Sequence, residues 1–284
     1  MTAIDAGETP ADLAALRQVA FAAGYRMLGT RSEADDIAQE ALLRLSDPLA
    51  RGEVRNAEAF ITTVATRLAI DHLRSARVRR EQYVGPWLPE PIVVEEPGTF
   101  ADEVSYALLV VLETLGPLER AAFLLREVFG FDYAEIAAAL DRSEDACRQL
   151  VARARRRVEA GRPRHPVDQA THRRLVERFI AAAGHGEVGA LQAMLTEEVE
   201  LVSDGGPHRK AARHPIRGRD RVVRFVCSVV PRLLQRGDLS IVTVNGEPGF
   251  RVFIEGGVWL VGTVTVNGGR IAAIRWVLNP DKLP

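Results

Sequence analysis

Residues 133–158, YAEIAAALDRSEDACRQLVARARRRV, combine a short apolar helix, a tight break and a second helix studded with arginine. Tyr133, Ile136, Ala137 and Leu140 share one face of the first helix, and Asp141-Arg142 interrupts it. Ser143 then stands as an N-cap residue, with Glu144 and Asp145 where the positive end of the helix dipole favours acids. On the second helix Cys147, Leu150, Val151, Ala154 and Val158 recur at helical spacing as an apolar stripe, which leaves Arg148, Gln149, Ala152, Arg153 and Arg156 on the opposite face. These are the parts of a helix-turn-helix, whose second helix enters the major groove of DNA. A solvated helical hairpin carries arginines in the same way, so spacing alone leaves both readings open.

The elements that must position this hairpin follow from the rest of the chain. Its 284 residues, 47% hydrophobic and 26% charged, are enough for two or three globular domains. The formal net charge of −1 hides local basicity. Residues 142–164 hold eight arginines, and a second run at Arg67, Arg74, Arg77, Arg79 and Arg80 has Asp71 as its single acid between residues 66 and 80. Cys147 and Cys227 are too few for a disulfide framework or a Cys/His zinc cluster and read as small core residues. No run reaches membrane-spanning length and the N-terminus lacks a signal-peptide pattern, so a cytoplasmic location is expected. No metal, cofactor or catalytic residue is expected.

Residues 11–80 read as three helices, with Leu13, Leu16, Val19 and Ala20 on the inner face of the first. Residues 83–100, YVGPWLPEPIVVEEPGTF, carry four prolines and two glycines and therefore read as an extended linker. Trp87, Leu88, Ile92, Val93 and Val94 make it too apolar for a plain spacer, so it is expected to pack on a domain surface. Helices resume from residue 102 to about 160, with a break at Gly116-Pro117. From residue 199 onward the pattern turns to strands, separated by turns at Asn245-Gly246, Gly256-Gly257 and Asn267-Gly268-Gly269, with one helix over 219–236. The predicted class is multidomain: two all-α units, a helical bundle and a helix-turn-helix, followed by an α+β unit whose sheet wraps around helices. The expected boundaries are 1–82, 83–101, 102–162 and 163–284.

RSEADDIAQEALLRL at 31–45, followed by AFITTVATRLAIDHLRSARVRR, resembles the promoter-melting domain of bacterial sigma factors of the extracytoplasmic-function group. LETLGPLERAAFLLREVFGFDYAEIAAAL and the helix after it resemble the domain of the same factors that reads the upstream promoter element. WLPEP at 87–91, SDGG at 203–206 and NPDKL at 279–283 resemble the subgroup with a SnoaL-like, cone-shaped α+β barrel at the C-terminus. Such factors usually continue the glycine motif with a further glycine and a basic residue. Here Pro207, His208, Arg209 and Lys210 follow, so the contact of that loop is expected to be displaced or weakened.

The resemblance implies partners and roles. Core RNA polymerase would meet Asp35, Asp36, Gln39 and Glu40, a compact acidic patch suited to a basic partner. The minus-10 element would be held by Arg67, Arg74, Arg77, Arg79 and Arg80, with Asp71 and His72 pairing within the helix. The minus-35 element would be met by Arg142, Ser143, Arg148, Gln149, Arg153 and Arg156. Arg142, Ser143 and Arg148 lie near base edges, and Arg153, Arg155, Arg156 and Arg157 suit phosphates. An interdomain contact would join Trp87, Leu88 and Pro89 to Asp204 and to Asn279, Pro280, Asp281 and Lys282. Two further roles for the C-terminal unit stay open. One is a small-molecule sensor with a cavity lined by Phe225, Val229, Phe253, Trp259 and Trp276; the other is a residual enzyme using Asp204, His208 or His214. The alternative for the whole chain is a stand-alone helix-turn-helix regulator with a sensor domain.

Overall fold

The computed structural model describes residues 12–81, 83–94, 105–161, 165 and 167–284, with the side chains of 76–81 outside the description. The first helical unit comprises α1 (Leu13–Leu28), α2 (Arg31–Ala50) and α3 (Ala57–Glu81). Small residues let these helices approach closely: Ala20, Ala23, Ala34, Ala38, Ala41, Ala65 and Ala69 are fully buried between them. Asp12 caps α1 by accepting from Ala14 and Ala15 N, and Gly29 ends it at φ 75°, the left-handed C-cap that costs glycine nothing. Leu13 does not join the inner face; it is 59% exposed, because the buried stripe runs through Leu16, Ala20, Ala23 and Met27 instead.

The second helical unit holds α4 (Tyr106–Leu112), α5 (Pro117–Glu127), α6 (Tyr133–Leu140) and α7 (Glu144–Gly161). It shares one apolar core with the first unit. Asp132 and Glu135 form a reciprocal capping box at the start of α6. Asp141 takes the left-handed conformation at φ 52°, and Ser143 Oγ accepts from Ala146 N at 3.2 Å to begin α7.

The third unit is α+β. Helices α8 (Gln169–His185), α9 (Val188–Met194) and α10 (Arg219–Leu234) accompany β2 (Leu195–Asp204), β3 (Ile216–Arg217), β4 (Asp238–Val244), β5 (Glu247–Ile254), β6 (Gly257–Asn267) and β7 (Arg270–Val277). The linker contributes β1 (Val93–Val94), giving seven strands in the order β1-β4-β5-β6-β7-β2-β3. All pairings are antiparallel except β2 with β7. Alternation assigns the two faces. Phe250, Val252, Ile254, Leu260, Val264, Ile274 and Trp276 face α8 and α10, whereas Val242, Val244, Val261 and Val277 face the linker and the helical units.

Two details differ from the sequence reading. The β5–β6 turn centres on Glu255-Gly256, at φ 54° and 79°, and not on Gly256-Gly257, because Gly257 already pairs with Ile254. Phe253 lies on the opposite face from Val252 and Ile254, under the Arg251 guanidinium at 4.8 Å, and so does not line a cavity among the helices.

Candidate nucleic-acid interface and interdomain site

On α7 the five apolar residues are buried and Arg148, Gln149, Ala152, Arg153 and Arg156 are exposed. The arginines differ in their engagement. Arg148 reaches back to Glu144 at 3.1 Å and Asp145 at 3.2 Å and lies over the Tyr133 ring. Arg153 and Arg157 both bind Glu119 of α5, at 2.9 and 2.8 Å, and Arg155 binds Glu127 at 2.6 Å. Burial alone would raise the Glu119 carboxyl, but hydrogen bonds from Arg153 and Gly116 N, with the Arg157 charge, hold it below its ordinary value. Among the described residues Arg156 donates only to Ala152 O of its own helix, and Arg142 only to Asp141 O.

The α3 arginines are less uniform than their spacing suggests. Arg67 donates to Ala138 O and Ala139 O, both at 2.7 Å, so it holds the C-terminal carbonyls of α6 and ties the first unit to the helix-turn-helix. Arg74 pairs with Asp71 at 3.3 Å, and His72 contacts Glu33 of α2 at 2.9 Å, a partner on another helix. The side chains of Arg77, Arg79 and Arg80 lie outside the described residues.

On α2, Asp36 and Gln39 are exposed, Asp35 pairs with Arg17 at 2.6 Å and Glu40 with Arg44 at 2.8 Å. Beside them runs a groove of about 420 Å³ whose apolar wall includes Leu13, Leu42, Leu43 and Leu49. Leu43 is 62% exposed. The periodicity of the sequence does not separate such outward leucines from core leucines.

The interdomain residues converge on one buried carboxylate. Asp204 ends β2 on the sheet face turned toward the linker, where it is fully buried. Its Oδ1 accepts from Tyr83 Oη at 2.6 Å and Gly206 N at 3.0 Å. Its Oδ2 accepts from Leu88 N at 2.9 Å and Lys282 Nζ at 2.8 Å. Lys282 also donates to Leu88 O at 2.7 Å and sits 4.0 Å from the Trp87 ring centre and 4.9 Å from that of Tyr83. Asn279 caps the short 3₁₀ turn Pro280–Lys282 through Asp281 N and donates to Tyr83 Oη. Burial, reinforced by the Asp204 hydrogen bond, pushes the Tyr83 phenol well above its ordinary pKa, so it remains a donor. The departure at Pro207 to Lys210 therefore does not displace this contact. Gly206, at φ 56° with no room for a Cβ against Asn279, fixes the loop on the tail.

Pro89, Glu90 and Ile92 of the linker bind all three units. Glu90 N donates to Gly29 O at the end of α1, while Arg31 N at the start of α2 donates to the Glu90 carboxylate. Tyr106 Oη of α4 donates to Pro89 O. Asn245 exchanges hydrogen bonds with Ile92 and donates to Tyr25 Oη. A separate buried pair, Arg120–Glu113 at 2.7 Å, lets Arg120 of α5 donate to Met27 O of α1.

These arrangements are matched by known proteins. Residues 13–79 match the model for sigma-70 region 2, and residues 105–158 the model for sigma-70 region 4. The chain is 36% identical to the ECF RNA polymerase sigma factor SigJ of Mycobacterium tuberculosis, across 94% of this chain and 91% of that protein. The chain belongs to the ECF RNA polymerase sigma factors. The probable ECF sigma factor SigI of the same organism is 32% identical over 91% of this chain and 89% of its own length. The crystal structure of M. tuberculosis SigJ aligns with a TM-score of 0.77 at 33% identity, covering 94% of this chain and 95% of that one. The region 2 match thus spans the helices carrying Asp35 and Arg67, and the region 4 match ends on the arginine helix. The stand-alone regulator reading is superseded, since a region 2 unit has no place in it. Among the described residues no helix of this sigma factor is long and apolar enough to cross a membrane.

In the C-terminal unit of the sigma factor, the candidate cavity residues divide. Phe225 and Trp276 pack at 5.8 Å on the helix-facing side, beside Val229. Trp259, unpaired at the β5–β6 register shift, supports Arg209 at 4.1 Å and Arg236 at 5.8 Å. Asp204 is consumed by its four hydrogen bonds, and His208 and His214 are exposed.

Proposed function

We propose that this sigma factor binds core polymerase through the α2 patch, grips the minus-10 element with α3 and reads the minus-35 element with α7, while its C-terminal unit holds the two sigma units together. The family supplies the partners. The single observation that carries the regulatory part is the Asp204 carboxylate, shared by the linker and the Lys282 tail in a fully buried site. In this closed arrangement Arg67 spends its Nε and Nη2 donors on the α6 carbonyls. The C-terminal unit works as a restraint and not as a catalyst; the buried, fully bonded state of Asp204 supports that reading.

The test is removal of residues 279–284 followed by promoter-directed transcription with core polymerase. The expected result is higher output, because release of the linker frees Arg67 and lets the two units separate along DNA. Unchanged transcription would end the restraint idea. A second reading, a small-molecule sensor, is favoured by Trp276 Nε1, a buried donor with no partner among the described residues. A thermal-shift screen in which no metabolite stabilises the chain counts against it.

A further inference from the structure

The region between the linker and the Asp204 loop encloses a cleft of about 550 Å³, a volume in the range of small-molecule sites. One wall is the linker at Val84, Gly85 and Pro86, and the other is the loop from Gly205 to Arg213. Its charged side chains are all basic or histidine: His208, Arg209, Lys210 and Arg213, with no carboxylate among the lining residues. Residues 207–213, PHRKAAR, contain no acid either.

These cations are not equivalent. Arg209 is spent on the protein: its guanidinium lies on the Trp259 ring and donates to Trp259 O at 2.6 Å and Leu278 O at 3.1 Å. That anchors the loop. His208 makes a solvent-exposed contact with Asp281 at 3.5 Å. Lys210 and Arg213 are exposed and have neither a carboxylate nor a hydrogen-bond partner among the described residues. Gly205 packs with no space for a Cβ against Arg209 O, and Arg209 N closes the turn onto Gly205 O, so the loop is preformed. Two cations without a partner among the described residues, on a fixed loop and lining a cleft whose lining residues include no carboxylate, make a site for a multiply charged oxyanion. A concave site of this size also suits a small ligand better than the convex rail of a DNA backbone.

We propose that this cleft binds a small phosphate-bearing ligand, with Lys210 and Arg213 as its principal cations. Because the linker forms the opposite wall, such a ligand touches both sides and favours the docked linker. That coupling rests on the restraint reading above; the binding itself does not.

The experiment uses the full chain and inorganic pyrophosphate as the probe, in metal-free buffer with ionic strength matched by sodium chloride. Calorimetric titration is expected to show saturable binding that weakens by at least about ten-fold in the Lys210→Ala/Arg213→Ala variant, the loss of two charge-assisted contacts. Arg224→Ala, an exposed arginine on α10, is expected to leave the binding unchanged. Chymotrypsin cleavage at Tyr83 and Trp87 is expected to slow when pyrophosphate is present. No heat beyond the chloride control, or equal binding by the double variant, overturns the site. Binding without slower cleavage overturns the coupling and leaves the site and the restraint standing separately. If a short duplex of arbitrary sequence binds and loses affinity in the double variant while pyrophosphate does not bind, the cleft is a DNA contact and the proposal fails.

Discussion

The molecule handles charge in two opposite ways. Around Asp204 one carboxylate and one ammonium are almost fully removed from water, at 0% and 7% side-chain exposure, and Tyr83, Gly206 and Leu88 direct hydrogen bonds at them. Along α7 the arginines stay about half exposed, in shared pairs with Glu119 and Glu127. The desolvated pair is costly to break, because either partner left alone is a buried charge. Exposed pairs of the second kind contribute little and are readily traded for another anion. The same chemistry thus fixes architecture where water is excluded and leaves a surface available for phosphate where it is not.

Breaking the buried side first gives the largest expected effect. Asp204→Ala strands Lys282 among Trp87, Tyr83 and Leu88 and is expected to cost about 3–5 kcal/mol of docking free energy. The check is the urea midpoint for the change in Trp87 environment. Adding Lys282→Met is expected to recover part of that loss, and strictly additive costs would show that the two side chains are not coupled.

On the exposed side the effects divide by role. Arg148→Ala is expected to lose about 1–3 kcal/mol of discrimination at one minus-35 position, whereas Arg156→Ala weakens all promoters alike and lowers the salt slope by about 1. Equal losses across a panel of base substitutions for both variants would remove the distinction. Glu119→Gln is a smaller perturbation. It releases Arg153 and Arg157, changes stability by only about 1 kcal/mol, and is expected to raise non-specific duplex affinity in a filter-binding titration.

The smallest effect concerns a buried group that belongs to neither cluster. His172 on α8 faces Val264 O at 3.1 Å, and its burial lowers the imidazole pKa below the ordinary 6.5, although the carbonyl contact opposes this. A depressed pKa favours the neutral form in the folded state. The associated stability is present above pH 6.5 and is lost as pH falls from there through the folded value. Thermal unfolding between pH 7.5 and 5.5 is expected to depend less steeply on pH in His172→Phe than in the natural chain.

Local patterns carried much of this design into the sequence. The apolar stripe of α7 and the alternating strands were legible because each repeats a period that burial enforces. Leu13 and Leu43 were not, since an outward leucine has the same local spacing as one kept inside. The β5–β6 turn was shifted by one residue: two adjacent glycines invite a turn, but strand pairing of Gly257 forced Glu255 into the left-handed region instead. Contacts such as Arg67 with Ala138 or Arg120 with Met27 join positions about 70 to 90 residues apart, and nothing in local pattern marks them. The meeting of Trp87, Asp204 and Lys282 was suggested by family resemblance; composition alone indicated only that the linker should be covered.

The two-residue strand β1 has a consequence beyond holding the linker in place. Val93 and Val94 pair with Thr243 and Val244 along the outer edge of β4. When the linker departs, that edge presents unsatisfied amides beside exposed valines, which is a template for pairing with another chain. A factor opened by removal of the tail is therefore expected to self-associate through this edge, which size-exclusion chromatography of the 279–284 deletion would show as a larger species.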